Sequence, residues 1–206
     1  MLTEIKYLED NYNVNIKGVI HVGAHHGEEI NDYLISGAKK IVLFEPVEEN
    51  YKILNENIEK YNNKNIIAYN VALGNFNGET FINLSTNDFE SSSILNPKLH
   101  LSDYPNIKFF DKRKIILNKM DDYFNNFSDC NFLAIDTQGY ELEVLRGGSK
   151  TLENIDYVYL EVNRAEVYEN NAMVEDIDIF LNNYSMIRVD TNWAGGNWGD
   201  ALYIRY

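Results

Sequence analysis

Hydrophobic residues along this chain fall into short unbroken runs separated by longer, mostly polar stretches. GVIHV (18–22), IVLFE (41–45), NIIAY (65–69), FLAID (132–136) and YVYLE (157–161) are nearly continuous in apolar residues. Runs of this kind suit strands covered on both faces, as in a parallel sheet. Between them the period changes. In VEENYKILNENIEKY, Val47, Tyr51, Leu54, Ile58 and Tyr61 recur at spacings of four and three, which predicts a helix with one apolar stripe. Glu48 and Glu49 fall in its first turn, where the helix dipole favours negative charge. A shorter helix is predicted from Glu28 to Ile35, closed by Gly37. Leu142, Leu145 and Leu152 mark a third helix, and Val174, Ile177 and Leu181 a fourth. Strand alternating with helix predicts a doubly wound, mostly parallel α/β sheet of the Rossmann-like kind.

Two stretches depart from the alternation. Residues 79–118 hold a strand-like ETFINLS, a polar run NDFESSSILNPK and a second strand-like KIILN. They are expected to form an insertion, a hairpin with an ordered loop near one end of the sheet. Residues 184–206 read as two strands, YSMIRV and ALYIR, joined by DTNWAGGNWGD, whose glycines and asparagines suit a hairpin-like connection. With 206 residues and no repeat or low-complexity linker, a single domain spanning 1–206 is expected.

Composition narrows the partners. A formal net charge of −14 repels a phosphate backbone and an anionic membrane alike, so neither nucleic acid nor a membrane surface is an expected partner. Cys130 is the one cysteine, which leaves no internal disulfide and suits a reducing compartment. MLTEIKYLED lacks the apolar stretch of a secretory leader. No apolar run approaches the roughly 18 residues of a membrane span. A soluble, cytoplasmic protein is the expectation, and no feature of the sequence sets an oligomeric state.

The chemistry is expected where the first run meets its turn, GVIHVGAHHGE (18–28). In an open parallel sheet the ligand crevice lies beyond the carboxyl ends of the strands, where strand order reverses. A dinucleotide turn needs G-x-G-x-x-G so that backbone amides close on a pyrophosphate. Here the glycines are spaced G-A-H-H-G, and Glu28 and Glu29 compete for the positive end of the following helix. Glu45 ends the second strand 22 positions after Gly23, where an acid accepts hydrogen bonds from ribose hydroxyls. An adenosine without a pyrophosphate is implied, and S-adenosyl-L-methionine fits. The same residues are open to a plainer account, in which Gly23 and Gly27 permit a tight turn and Glu45 caps the next helix.

VIHVGAHHGEE, FEP (44–46), NVALG (70–74), ESSSIL (90–95) and above all IDTQGYELEVLRGG (135–148) resemble the FkbM family of S-adenosylmethionine-dependent methyltransferases. The resemblance implies a seven-stranded sheet whose final strand is antiparallel, and an acceptor hydroxyl on a sugar, glycan precursor or secondary metabolite. It also implies that His21, Gly23, Ala24, His25, Gly27, Glu45, Pro46, Asn70, Ala72, Ser92 and Asp136 line the donor site. The chain departs from the family pattern in carrying His21 for an aspartate, His25 for an asparagine and Gln138 for a glutamate.

Methyl transfer to a hydroxyl needs positioning and a proton acceptor. Asp136 is the first candidate, as base, metal ligand or anchor for the donor ammonium, with an N-cap for the helix near Tyr140 as the structural alternative. Glu161 either holds an acceptor hydroxyl or pairs with Arg164. His26 or His25 suits a base near neutral pH, or a satisfied loop histidine. His100 is expected to face solvent. Ser91, Ser92 and Ser93 are expected to touch donor or acceptor, and Trp193 and Trp198 either stack on a sugar ring or pack over the core. No H-x-x-x-H spacing is present and no obligatory metal is expected. Two other functions stay open: a donor-fold binding module without catalysis, and a nicotinamide-dependent sugar oxidoreductase.

Overall fold

The computed structural model describes residues 4–206; the first three residues of MLTEIKYLED, read for a leader, lie outside the described residues. Helix α1 (Ile5–Tyr12) precedes β1 (Val19–Val22), α2 (Ile30–Ile35), β2 (Ile41–Phe44), α3 (Glu48–Glu59) and β3 (Ile66–Tyr69). Then come β4 (Ala72–Leu73), β5 (Gly78–Ser85), α4 (His100–Asp103), β6 (Phe109–Asn118) and a 3₁₀ helix (Met120–Asn126). The chain closes with β7 (Phe132–Ile135), α5 (Glu141–Arg146), α6 (Ser149–Leu152), β8 (Tyr157–Asn163), α7 (Val174–Asn182), β9 (Met186–Ala194) and β10 (Trp198–Arg205).

Seven strands form the main sheet in the order β3-β2-β1-β7-β8-β10-β9, parallel except for β10, which is antiparallel to both neighbours. The unbroken apolar runs are explained by two-sided burial. Ile20, Val22, Val42, Phe44, Leu133 and Ile135 belong to one core. Their alternating neighbours Val19, Ile41, Leu43, Phe132 and Ala134 belong to the other. Strand order reverses at β1, so a crevice opens between the carboxyl ends of β1 and β7.

The stretch 79–118 does form an antiparallel hairpin, β5 with β6, and a third strand joins it: β4 pairs with β6 to give a separate three-stranded sheet. Its apolar face, with Ile82, Leu84, Ile115 and Leu117, packs with Val47 and Ala72 and so holds the insertion against the crevice. The final hairpin is longer than expected. β9 and β10 extend through most of DTNWAGGNWGD and leave only Gly195–Asn197 as the turn, because Trp193 and Gly199 still pair across the ladder.

Two helices differ from expectation. The first begins at Ile30, not Glu28, since Gly27 bonds back to Ala24 and residues 28 and 29 form a turn. The helix through Leu142 and Leu152 is split at Gly147 and Gly148. A side chain at Gly147 would collide with the Gly74 carbonyl, and one at Gly148 with Met120, so the break lets the chain pack closely there. Among the described residues no helix is long and apolar enough to cross a membrane.

Candidate active site

The crevice at the strand ends is a cleft of about 620 Å³ reaching from β2 to β10 and roofed by residues 87–107 of the insertion. Its floor is the turn after β1. Gly23 has φ +83°, and a side chain there would strike the Asp136 carbonyl, so the β1 and β7 ends lie in direct contact. The amides of Gly23 and Ala24 both donate to the Phe44 carbonyl, at 2.9 and 3.0 Å, which locks this turn to β2.

Glu45 follows β2 and is buried, with Oε2 accepting from the His25 amide (3.0 Å) and Oε1 from the Val47 amide (2.8 Å). The bond to Val47 is the helix-entry role open to it from the sequence; the bond to His25 ties it to the β1 turn. Burial pushes its carboxyl up to about 7, although both amides pull the other way. Asn70 is displaced from its expected place. Its amide donates to the Glu45 and Pro46 carbonyls, bracing the backbone behind the cleft, while Val71 and Ala72 line the wall.

His21 lies in the cleft floor with Nδ1 3.2 Å from the Tyr33 hydroxyl, and burial lowers its pKa, keeping the ring neutral. His25 lines the cleft at φ +45°. Burial opposes its charge, but the bonds to Glu28 and the Asp88 carbonyl outweigh it and push the pKa up to about 9. His26, a candidate base, is not in the cleft wall. Its ring stacks behind His25 and bonds Asn50, and Gly27 packs against Ile30 and Leu54.

The opposite half of the cleft gathers carboxylates. Asp136 follows β7 and Glu161 lies near the end of β8, and one amide bridges them: Gln138 Nε2 donates to Asp136 Oδ1 (2.8 Å) and Glu161 Oε2 (3.1 Å). Gln138 itself, at φ +56°, accepts from the Tyr168 hydroxyl at 2.9 Å. Burial, then the charges of Asp136, Glu141 and Asp200, hold the Glu161 carboxyl well above its ordinary value. Asp136 does not cap the next helix, whose N-cap is Tyr140. Glu141 instead organises that loop, its Oε1 accepting from Thr137 and Gly139. Arg164 pairs elsewhere, stacking 3.6 Å over the Trp193 ring.

His100 is where expectation failed most. It is 3% exposed, not solvent-facing, because residues 98–100 dock on Glu166 and Val167 by backbone bonds. Its ring sits 5.0 to 5.5 Å from those of Tyr104, Phe109 and Tyr168, and its Nδ1 is buried without a partner. Burial lowers its pKa. Trp198 also lines the cleft, donating from Nε1 to the Tyr104 hydroxyl at 2.7 Å. The serine run serves mostly as a strut: Ser93 Oγ donates to the Gln138 carbonyl, Ser92 Oγ accepts from the Ser85 amide, and the Ser91 carbonyl accepts from Tyr168. Sequence reasoning missed Tyr168, Tyr104 and the bridging role of Gln138; only Gln138 gave a signal, as a departure from the family pattern.

Comparison with known proteins follows the same lines. The profile of the methyltransferase FkbM domain matches residues 21–186. The chain is 24% identical over 193 residues to the 2-O-methyltransferase NoeI of Sinorhizobium fredii, covering 89% of this chain and 77% of that protein. Its fold is similar to the crystal structure of the methyltransferase FkbM from Methylobacillus flagellatus KT (TM-score 0.58, 14% identity), covering 92% of this chain and 44% of that one. It is also similar to the magnesium protoporphyrin IX methyltransferase of Synechocystis PCC 6803 with S-adenosylmethionine bound (TM-score 0.54, 10% identity, 98% and 76% covered).

Proposed function

The chain belongs to the FkbM methyltransferase family, and on that premise we propose that it transfers a methyl group from S-adenosyl-L-methionine to a hydroxyl of a sugar, glycan precursor or secondary metabolite. One observation carries the reading: acids stand at or near the carboxyl ends of β2, β7 and β8, and all three open on one cleft. Neighbouring strands lie about 4.8 Å apart, so three steps from Glu45 to Glu161 span roughly 14 Å, enough for a nucleoside, a sulfonium and an attacking hydroxyl in sequence.

The donor supplies a methyl group on a positive sulfur, open to in-line displacement by oxygen. Glu45 accepts from the ribose hydroxyls, and the Gly23 turn leaves room for the donor tail against β1. Asp136, one strand on, faces the positive groups. Glu161 takes the proton of the acceptor hydroxyl: its raised affinity for a proton, set by burial and neighbouring acids, suits a general base. Gln138, neutral where a glutamate would add a further charge, holds both carboxylates in place.

His100, Tyr104 and Trp198 supply the aromatic and hydrogen-bonding surface that suits a sugar ring. The net charge of −14 favours a neutral acceptor over nucleic acid. Incubation with methyl-labelled donor and a panel of free sugars, nucleotide sugars, glycans and RNA tests this. Label on a carbohydrate hydroxyl, with release of S-adenosylhomocysteine, is expected. Label on RNA, or donor binding with no acceptor labelled, would overturn it.

A further inference from the structure

The two histidines of the β1 turn pose a problem that the methyl-transfer reading leaves unused. His25 Nε2 lies 2.9 Å from the Asp88 carbonyl oxygen, and His26 Nε2 lies 3.2 Å from Asn50 Oδ1. Both partner atoms are acceptors, so each Nε2 donates and each Nδ1 is the ring nitrogen left to bind an ion. Those two Nδ1 atoms converge on a single oxygen: Glu28 Oε1 is 2.8 Å from His25 Nδ1 and 3.7 Å from His26 Nδ1. The two rings stack with centroids 3.7 Å apart.

The geometry points to a divalent transition-metal ion, of the Zn²⁺, Co²⁺ or Ni²⁺ class, held by His25 Nδ1, His26 Nδ1 and Glu28 Oε1. Each of the three residues offers a ligand atom within 4.8 Å of the other two. Ligands about 2.05 Å from a tetrahedral ion are about 3.4 Å apart, between the two observed separations from Glu28. Imidazole with one carboxylate is a donor set that such ions favour. The Nε2–H bonds to a carbonyl and an amide oxygen are the outer partners that fix the tautomer and ring orientation of metal-ligating histidines. Adjacent histidines cannot share a ligand-facing side in a helix. Here the left-handed backbone at His25 and the turn at Gly27, φ +79°, bring them together. The ion would clasp the loop whose His25 amide bonds Glu45, linking it to Asp88 of the insertion and Asn50 of α3. This inference does not depend on the identity of the acceptor.

The test uses the full chain without a polyhistidine tag, stripped with chelator and titrated with Co²⁺ alone. Visible absorption reports coordination, and equilibrium dialysis with elemental analysis reports stoichiometry. One ion per chain is expected, with loss of the absorption band in His25→Ala/His26→Ala. Weakening of about 10- to 100-fold is expected in Asn50→Ala, which removes an outer partner. Glu28→Gln, at a half-exposed position that tolerates substitution, should also weaken binding. Thermal unfolding of each variant without metal separates ligand loss from misfolding. The remaining two histidines, His21 and His100, are buried and unsuited to bind in place of the pair. Absence of saturable binding in the wild-type chain, or binding that survives in a folded double variant, would overturn the site.

Discussion

The two halves of the cleft are built differently. The half around Gly23 and Glu45 is made where β1 and β2 end, from backbone amides and one buried acid joined across adjacent strands. The half around Glu161 and His100 is assembled from five segments: the ends of β7 and β8, the insertion, the loop through Tyr168 and the tip of the last hairpin. The first is a property of the fold and suits a donor common to many acceptors. The second is built largely on loops, the elements by which one fold carries different sites.

If this division is right, substitutions should separate cleanly into donor and acceptor effects. Glu161→Gln should show the largest change, a fall in single-turnover rate of about 10²- to 10⁴-fold with donor affinity nearly unchanged, because only the proton acceptor is lost. A parallel loss of donor affinity, measured by calorimetry, would merge the two halves. Glu45→Ala comes next. Its donor affinity should weaken by about 1–3 kcal/mol, the range for hydrogen bonds to a charged group. Unchanged affinity would mean that the ribose lies elsewhere.

His100→Phe sharpens the other side. It keeps the aromatic packing and removes a buried nitrogen that lacks a partner, so the melting temperature should hold or rise. Acceptor KM should increase by about 2- to 12-fold, the value of one net hydrogen bond, while donor affinity stays constant. Glu45 also predicts a pH dependence. With Glu45 at about 7, donor affinity should improve as pH rises through that value and its carboxylate ionises. The same raised value favours the folded state fully below the ordinary carboxyl value of 4.5, and that contribution is lost as pH climbs from 4.5 to about 7. Glu45→Gln should flatten both profiles, which titration calorimetry and denaturant midpoints across pH would check.

The same division governs what could be read from the sequence. Unbroken apolar runs marked the central strands, and the Gly23-to-Glu45 spacing marked the floor of the cleft, because both are set by neighbours along one or two elements. The resemblance puts Asn70 in the donor site, yet its side chain turns to brace the Glu45 backbone. The sequence offers His26 beside His25 as a base, but the left-handed turn puts it behind its neighbour. His100 carried no local sign of burial, since what covers it comes from residues 166–168, more than 60 positions later. The split of the 141–152 helix was hidden for a related reason: it answers to Gly74 and Met120, which no periodicity reports.

The arrangement of acids along the strand ends is tested most directly by a crystal structure with S-adenosylhomocysteine bound. The ribose hydroxyls should lie within hydrogen-bond distance of the Glu45 carboxylate, with the sulfur on the Asp136 side and open volume beyond it toward Glu161 and His100. A ribose held away from Glu45, or a sulfur directed away from Glu161, would contradict it.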